Sequence, residues 1–412
     1  MEAINARWEA YEALDYEGRI ALFTDTLDEP ELMDDEMAFE MLNTLHGPAL
    51  ERDERDRFDA LITALRDRLP EVYDHSAHYY LDWQIGNALA MGHSDALAAL
   101  VRELTDTAKF DIDIFNNIID RLAYYGQLSL LLDATRRAWP LVNEPGNVVP
   151  WGIAEFSEQA IGFILFDHLE RHTPPDPSDP ALIEQISFFA PYNAAHTRHL
   201  FNDLTGQVKH EWSLDDFDLR SRSQDDEFDD EDDPPEDDGA DYQPHNALGW
   251  QNLYHLSVEF LGYIHREEGV SLTKGELARH QIYTYVMQRF HGELEPQESM
   301  WEAMARPRRQ KRRSRPKRRR QPRHLLCPDH ETFDRFLAGT MQFLNPQWYK
   351  AAATFELIPA WLRFLGRRGL IDAEQHAQTR QALEPIRDAL GPLWEQHQED
   401  QGLSQSLLAW ES

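Results

Sequence analysis

Apolar residues along this chain recur at helical spacing over most of its length. Tyr16, Ile20, Phe23 and Leu27 follow one another at steps of four, three and four, which is one face of an amphipathic helix. Phe58, Leu61, Ile62, Leu65 and Leu69 draw a second stripe that stops at Pro70. Between them, Asp28 and Pro30 are expected to start a helix carrying Met33, Met37, Met41 and Leu45. Alternating β-branched runs are scarce, and no Asn-Gly or Asp-Gly turn lies between two of them. The pattern predicts an all-α protein of stacked helical hairpins, either an α-solenoid or an irregular helical bundle.

Glycine supplies the joints. One predicted helix ends at Gly92, followed by HSDALAALVREL, and another at Gly126, followed by QLSLLLDATRRAW, 34 residues further on. Gly269 and Gly369 each close a helix, add an apolar contact (Val270 and Leu272; Leu370 and Ile371) and lead into a new N-cap. Thr273 with Glu276 and Asp372 with Gln375 are the expected capping pairs. Over about residues 71–140 the glycine-joined helices resemble tetratricopeptide-like and HEAT-like repeat proteins. That resemblance implies antiparallel hairpins stacked into a protein-binding surface. The Trp-x2-Leu-Gly-x2-Tyr pattern of the tetratricopeptide family is absent from this stretch.

Composition interrupts this picture at three places. HTPPDPSDP at 172–180 cannot continue a helix, because its prolines lack donors and disfavour the helical region before them. Residues 215–241 hold 15 carboxylates and two arginines, and residues 306–323 hold 12 basic residues and no acid. Such blocks repel themselves and bury no apolar surface, so both are expected to be disordered. The predicted organisation is therefore an N-terminal helical-repeat domain (1–171), a Pro-interrupted connector with a helix (172–214), the acidic segment (215–241), a helical block (242–305), the basic segment (306–323) and a C-terminal helical region (324–412).

The chain carries a net charge of −34, and without the two runs it still holds 26 basic against 59 acidic residues, a net of −33. An acidic body repels a phosphate backbone everywhere except at the basic run. That run, Arg306, Arg308, Arg309, Lys311, Arg312, Arg313, Arg315, Lys317, Arg318, Arg319, Arg320 and Arg323, contains no aromatic residue for base stacking. Its expected contact is an acidic surface, on a partner or on this protein itself, with nucleic acid as the alternative. Cys327 is the only cysteine, the N-terminus lacks the pattern of a signal peptide, and the strongest apolar stretch, AIGFILF at 160–166, is too short to span a membrane. A cytoplasmic protein that does not enter a membrane is the expectation.

Candidate chemistry is confined to one repeated spacing. His75, His78 and Asp82, and again His196, His199 and Asp203, follow His-x2-His-x3-Asp, which places all three side chains along one face of a straight helix. Imidazole and carboxylate are ligands for zinc, iron or manganese, so a divalent transition metal is the one cofactor the triplets would take. Packed aromatics beside the first triplet, Tyr79, Tyr80 and Trp83, fit a helix interface as well. His324, Cys327 and His330 form a lesser cluster without a fourth ligand. No Gly-x-Ser-x-Gly, phosphate-binding loop or Gly-x-Gly-x2-Gly is present. The expected function is a non-enzymatic scaffold or adaptor with a protein partner, or one that self-associates. The alternatives are a nucleic-acid-associated protein using the arginine run and a metal-dependent enzyme using the triplets. Trp83, Trp139, Trp151, Trp250, Trp301, Trp348 and Trp361 are expected mainly in the core.

Overall fold

Capping side chains, prolines and left-handed glycines divide the chain into successive helices. The computed structural model describes residues 2–106, 111–208, 210–217, 247–294, 324–342, 346–396, 400 and 402–410, and among them no strand occurs. The first ten helices are α1 (Glu2–Glu12), α2 (Tyr16–Thr26), α3 (Asp35–Glu51), α4 (Arg55–Arg68), α5 (Pro70–Met91), α6 (Ser94–Asp106), α7 (Ile112–Tyr124), α8 (Leu128–Val142), α9 (Pro150–Arg171) and α10 (Pro180–Ser187). They are followed by α11 (Ala194–Thr205), α12 (Ala247–Glu268), α13 (Leu272–Phe290), α14 (His330–Thr340), α15 (Trp348–Arg367), α16 (Ala373–Gln396) and the single turn α17 (Gly402–Gln405). No described helix is long and apolar enough to cross a membrane.

Packing divides the chain into unit 1, Met1–Ala194 with Ala389–Ser412, and unit 2, Ala195–Asp388. This division differs from the one composition implied. The stretch 172–214 is shared between the units, because α10 packs on α9 while α11 is bonded to α12. The region after 324 is likewise shared. Asp400, for example, accepts a hydrogen bond from the Tyr125 hydroxyl within unit 1. The acidic run also begins inside ordered structure: Phe217 is fully buried, and the Asp216 carboxylate accepts from the Ser213 amide at 2.7 Å. The rest of that run and all of 306–323 lie outside the described residues.

In unit 1 the stripes are buried as their spacing predicts. Ile20, Phe23 and Leu27 face the core, as do Phe58, Leu61, Ile62 and Leu65. Pro70 stands at the first position of α5, where its missing N–H is one that no helix satisfies. The methionine stripe is buried too, but its helix starts later than Pro30 suggests. Residues Pro30–Leu32 make one 3₁₀ turn, and Asp34 then caps α3 by accepting from the Met37 amide at 2.9 Å. A carboxylate in reach of orphan amides sets the helix start more firmly than a proline does. Alternate helices stack, α3 on α5, α5 on α7 and α6 on α8, while neighbours pair as hairpins. Gly92 and Gly126 both close their helices at φ +70°, a conformation that glycine adopts without strain. Trp83 sits among Phe39, His46, Phe58 and Tyr80 as a packed residue. Trp151 departs from the core expectation, at 72 % exposed in the first turn of α9.

Unit 2 is built on α12, α13 and α15, which pack against one another. Trp361 of α15 is 1 % exposed, meets Phe260 edge-on at 5.1 Å between ring centroids, and donates its indole N–H to the Leu326 carbonyl at 2.9 Å. After Gly369, Asp372 and Gln375 form the reciprocal capping box the sequence implied, with bonds of 2.7 and 3.2 Å. After Gly269 the cap is Ser271 rather than Thr273, its hydroxyl accepting from the Lys274 amide at 3.3 Å.

Candidate functional site

The second histidine triplet sits on α11, and a glycine brings that helix against α12. A Cβ at Gly262 would collide with the Leu204 backbone carbonyl, so only glycine lets the end of α11 approach this closely. Arg266, one turn along α12, donates from its guanidinium to the same carbonyl. This contact fixes Asp203, the residue before Leu204, beside His255 and Glu259 of α12.

Asp203 is 4 % exposed and Glu259 is 2 % exposed, so two carboxylates are buried within one small volume. Buried carboxylates must be paired or hydrogen-bonded. Asp203 accepts from His255 Nδ1 at 2.7 Å and from His210 Nε2 at 3.2 Å. Glu259 accepts from the Trp212 indole at 3.2 Å, lies 3.8 Å from His210 and is ion-paired to Arg368. Burial raises the Glu259 carboxyl above its ordinary range, against the opposing pull of Arg368 and His210. The His210 ring is stacked on Trp212 at 4.8 Å. Because a carboxylate only accepts, the bond to Asp203 places a hydrogen on His255 Nδ1, and in the neutral ring Nε2 is then an acceptor.

His255 also lines an open cleft of about 480 Å³, together with His196, His199, Trp250, Gln251, Tyr254 and Tyr283. The triplet on α11 therefore splits by role: its two histidines border the cleft, and its aspartate lies behind, holding a third histidine from α12. The Arg279 guanidinium stands 5.6 Å from the Tyr254 ring centre and is bonded to the Ser257 hydroxyl at 3.2 Å, which braces that wall.

The first triplet has other partners. Ser76 departs from helical geometry (φ −124°, ψ 16°), so α5 is kinked between His75 and His78, and the single straight face is lost. His75 Nδ1 bonds the Glu71 carbonyl at 3.3 Å, the His78 ring packs on Tyr79, and Asp82 pairs with Arg121 at 3.1 Å. His324 uses both ring nitrogens, on the Leu370 carbonyl and the Leu326 amide, and burial pushes the Cys327 thiol up to about 11. Among the described residues, the group of three whose ligand atoms all come within 4.8 Å of one another is His168, His172 and Asp179, in unit 1. It contains none of the triplet residues. The twelve basic residues from Arg306 to Arg323 lie outside the described residues.

Comparison with protein-family models, with curated proteins and with solved structures returned no match. The site is therefore defined by its own geometry. Sequence reasoning found His196, His199 and Asp203. It missed His210, seven residues beyond Asp203 and past the end of α11, and His255, Glu259, Tyr254 and Tyr283, which come from helices far along the chain.

Proposed function

We propose that this chain is a non-enzymatic adaptor that seats an arginine-bearing segment of a protein partner in the cleft of unit 2. The observation that carries this reading is the aromatic lining of Trp250, Tyr254 and Tyr283 around a cleft whose His255 is bonded to the buried Asp203. Aromatic faces attract a guanidinium, and the Arg279 guanidinium already stands beside the Tyr254 face. His255 adds an acceptor at Nε2. The chain's net charge of −34 draws cationic partners toward the cleft and raises their encounter rate. Stacked hairpins provide the extended surface on which the rest of the partner would lie. The arginine run at 306–323 offers the same chemistry, so a second copy of this chain is another source of the segment.

Calorimetric titration of the full-length protein with a short arginine-rich peptide tests the reading. Trp250→Ala should weaken binding by about tenfold, the equivalent of one desolvated cation–π contact, and a glutamate-rich peptide should not bind. Equal affinity for wild type and variant would mean that overall charge, not the cleft, captures the peptide. Nucleic acid that co-purifies and is lost on deleting 306–323 would favour the nucleic-acid alternative instead.

A second reading rests on the 2.7 Å bond between Asp203 and His255. A buried carboxylate on Nδ1 is how an imidazole is held for general acid–base work. Hydrolysis of simple esters or phosphoesters that His255→Asn abolishes would support it, and activity unchanged in that variant would end it.

A further inference from the structure

The Pro-rich stretch after α9 carries a histidine–carboxylate group that the cleft does not involve. His168 and His172 are four residues apart at the C-terminal end of α9, and their rings stack at 4.3 Å between centroids. The chain then turns through 173–179 and returns Asp179 as the N-cap of α10, with Asp179 Oδ2 3.7 Å from His168 Nδ1. We propose that His168, His172 and Asp179 form a binding site for a divalent transition metal of the zinc class.

Four features of the geometry support it. First, the ligand atoms of the three residues lie within 4.8 Å of one another. Zinc bonds of about 2.0–2.2 Å bring tetrahedral ligand atoms to roughly 3.3–3.5 Å apart, so closure needs only about 1 Å of side-chain movement. Second, His172 Nδ1 donates to the His168 carbonyl at 3.2 Å. That bond fixes the tautomer with the lone pair on Nε2, the usual way a metal-binding histidine is oriented by its other nitrogen. Third, Asp179 spends Oδ1 on the Ala181 amide at 2.9 Å, leaving Oδ2 on the His168 side. Fourth, burial and the His172 ring hold the His168 imidazole below its ordinary range, against the pull of Asp179, Asp176 and Asp167, and the C-terminal end of a helix is its negative pole.

His168 couples the site to the turn. Its Nε2 accepts the Asp176 amide at 3.2 Å, which puts its hydrogen on Nδ1, facing Asp179. A metal on Nδ1 moves that hydrogen to Nε2, with no net proton change at the ring, and displaces the Asp176 amide. Loading therefore rearranges the backbone of 173–179. Three protein ligands leave a fourth position for water.

Cobalt(II) titration of the full-length protein, followed by its visible absorption and competed with zinc, tests the proposal. One equivalent should bind, and amide signals of 173–179 should shift as it does. Asp179→Asn keeps an N-cap acceptor but loses the anionic ligand, and His172→Gln removes an exposed ligand. Each should weaken binding by about tenfold or more, while the His196→Gln/His199→Gln double variant should bind as wild type does. No binding at micromolar metal, variants indistinguishable from wild type, or loss of binding in the double variant would each overturn the site.

Discussion

Replacing Asp203 by alanine should destabilise unit 2 by about 3–5 kcal/mol, the usual result of removing one partner from a buried charged network. Asp203 accepts from His255 Nδ1 at 2.7 Å and also holds His210 Nε2 at 3.2 Å. Without it, the His255 and His210 rings, 33 % and 29 % exposed, lose a buried acceptor, and an unsatisfied donor costs about 1–3 kcal/mol where water does not replace that acceptor. One effect acts in the opposite direction, since Asp203 raises the charging cost of Glu259. That relief is partial because Arg368 already compensates Glu259. Asp203→Asn, which keeps the shape and one acceptor oxygen, should lose clearly less than the alanine variant. Chemical denaturation followed by tryptophan fluorescence measures both. An alanine variant within about 0.5 kcal/mol of wild type, the ordinary range for a surface change, would make Asp203 a bystander and remove the support behind the cleft.

Asp59→Asn should stabilise unit 1, and by an amount that grows with pH. Asp59 is half-buried on α4 and accepts from Asn87 Nδ2 at 2.8 Å, while Asn87 Oδ1 accepts from the buried Arg55 at 3.1 Å. Burial pushes its carboxyl from 3.8 up to about 6, with the Asn87 bond and Arg55 opposing and Asp56 adding to the rise. The folded state therefore holds a proton that the unfolded state has released, so stability falls as pH rises from about 4 to about 6 and stays reduced above that. At about 1.4 kcal/mol for each tenfold change in proton affinity, the loss above that window amounts to about 3 kcal/mol. Asparagine accepts the same Asn87 bond and carries no charge, so the variant escapes this loss. The stability gap between variant and wild type should widen by about 2 kcal/mol between pH values of about 4.5 and 7. A gap that stays flat over that range would show that Asp59 is not desolvated.

Local rules were legible in the sequence wherever one residue decides the backbone. Pro70, Gly92, Gly126, Gly269 and Gly369 stand where helices end or begin, because ring closure or a left-handed φ restricts those positions to a few residue types. Caps were less legible, because several polar residues compete for the same orphan amides. Asp34 prevails over Pro30 as the start of α3, and Ser271 over Thr273 as the start of α13. The candidate site was half legible. Helical spacing placed His196, His199 and Asp203 on one face, but not the 52-residue step from Asp203 to His255, nor the approach of α11 to α12 at Gly262. Both are tertiary contacts that leave no periodicity. The repeated spacing also misleads by itself: one kink at Ser76 gives His75, His78 and Asp82 different neighbours. His168, His172 and Asp179 were hidden because a proline cluster reads as a break, whereas in the fold it is the turn that returns Asp179 to the helix it left.

Binding of an arginine-bearing segment in the cleft of unit 2 can be followed by nuclear magnetic resonance on protein labelled at histidine. Titration with the arginine-rich peptide should shift the ring signals of His196, His199 and His255 together, along one saturating curve, and leave those of His75, His78, His168 and His172 in place. Shifts spread over all histidines in proportion to their exposure, or saturation of the peptide with the three cleft histidines unmoved, would contradict it.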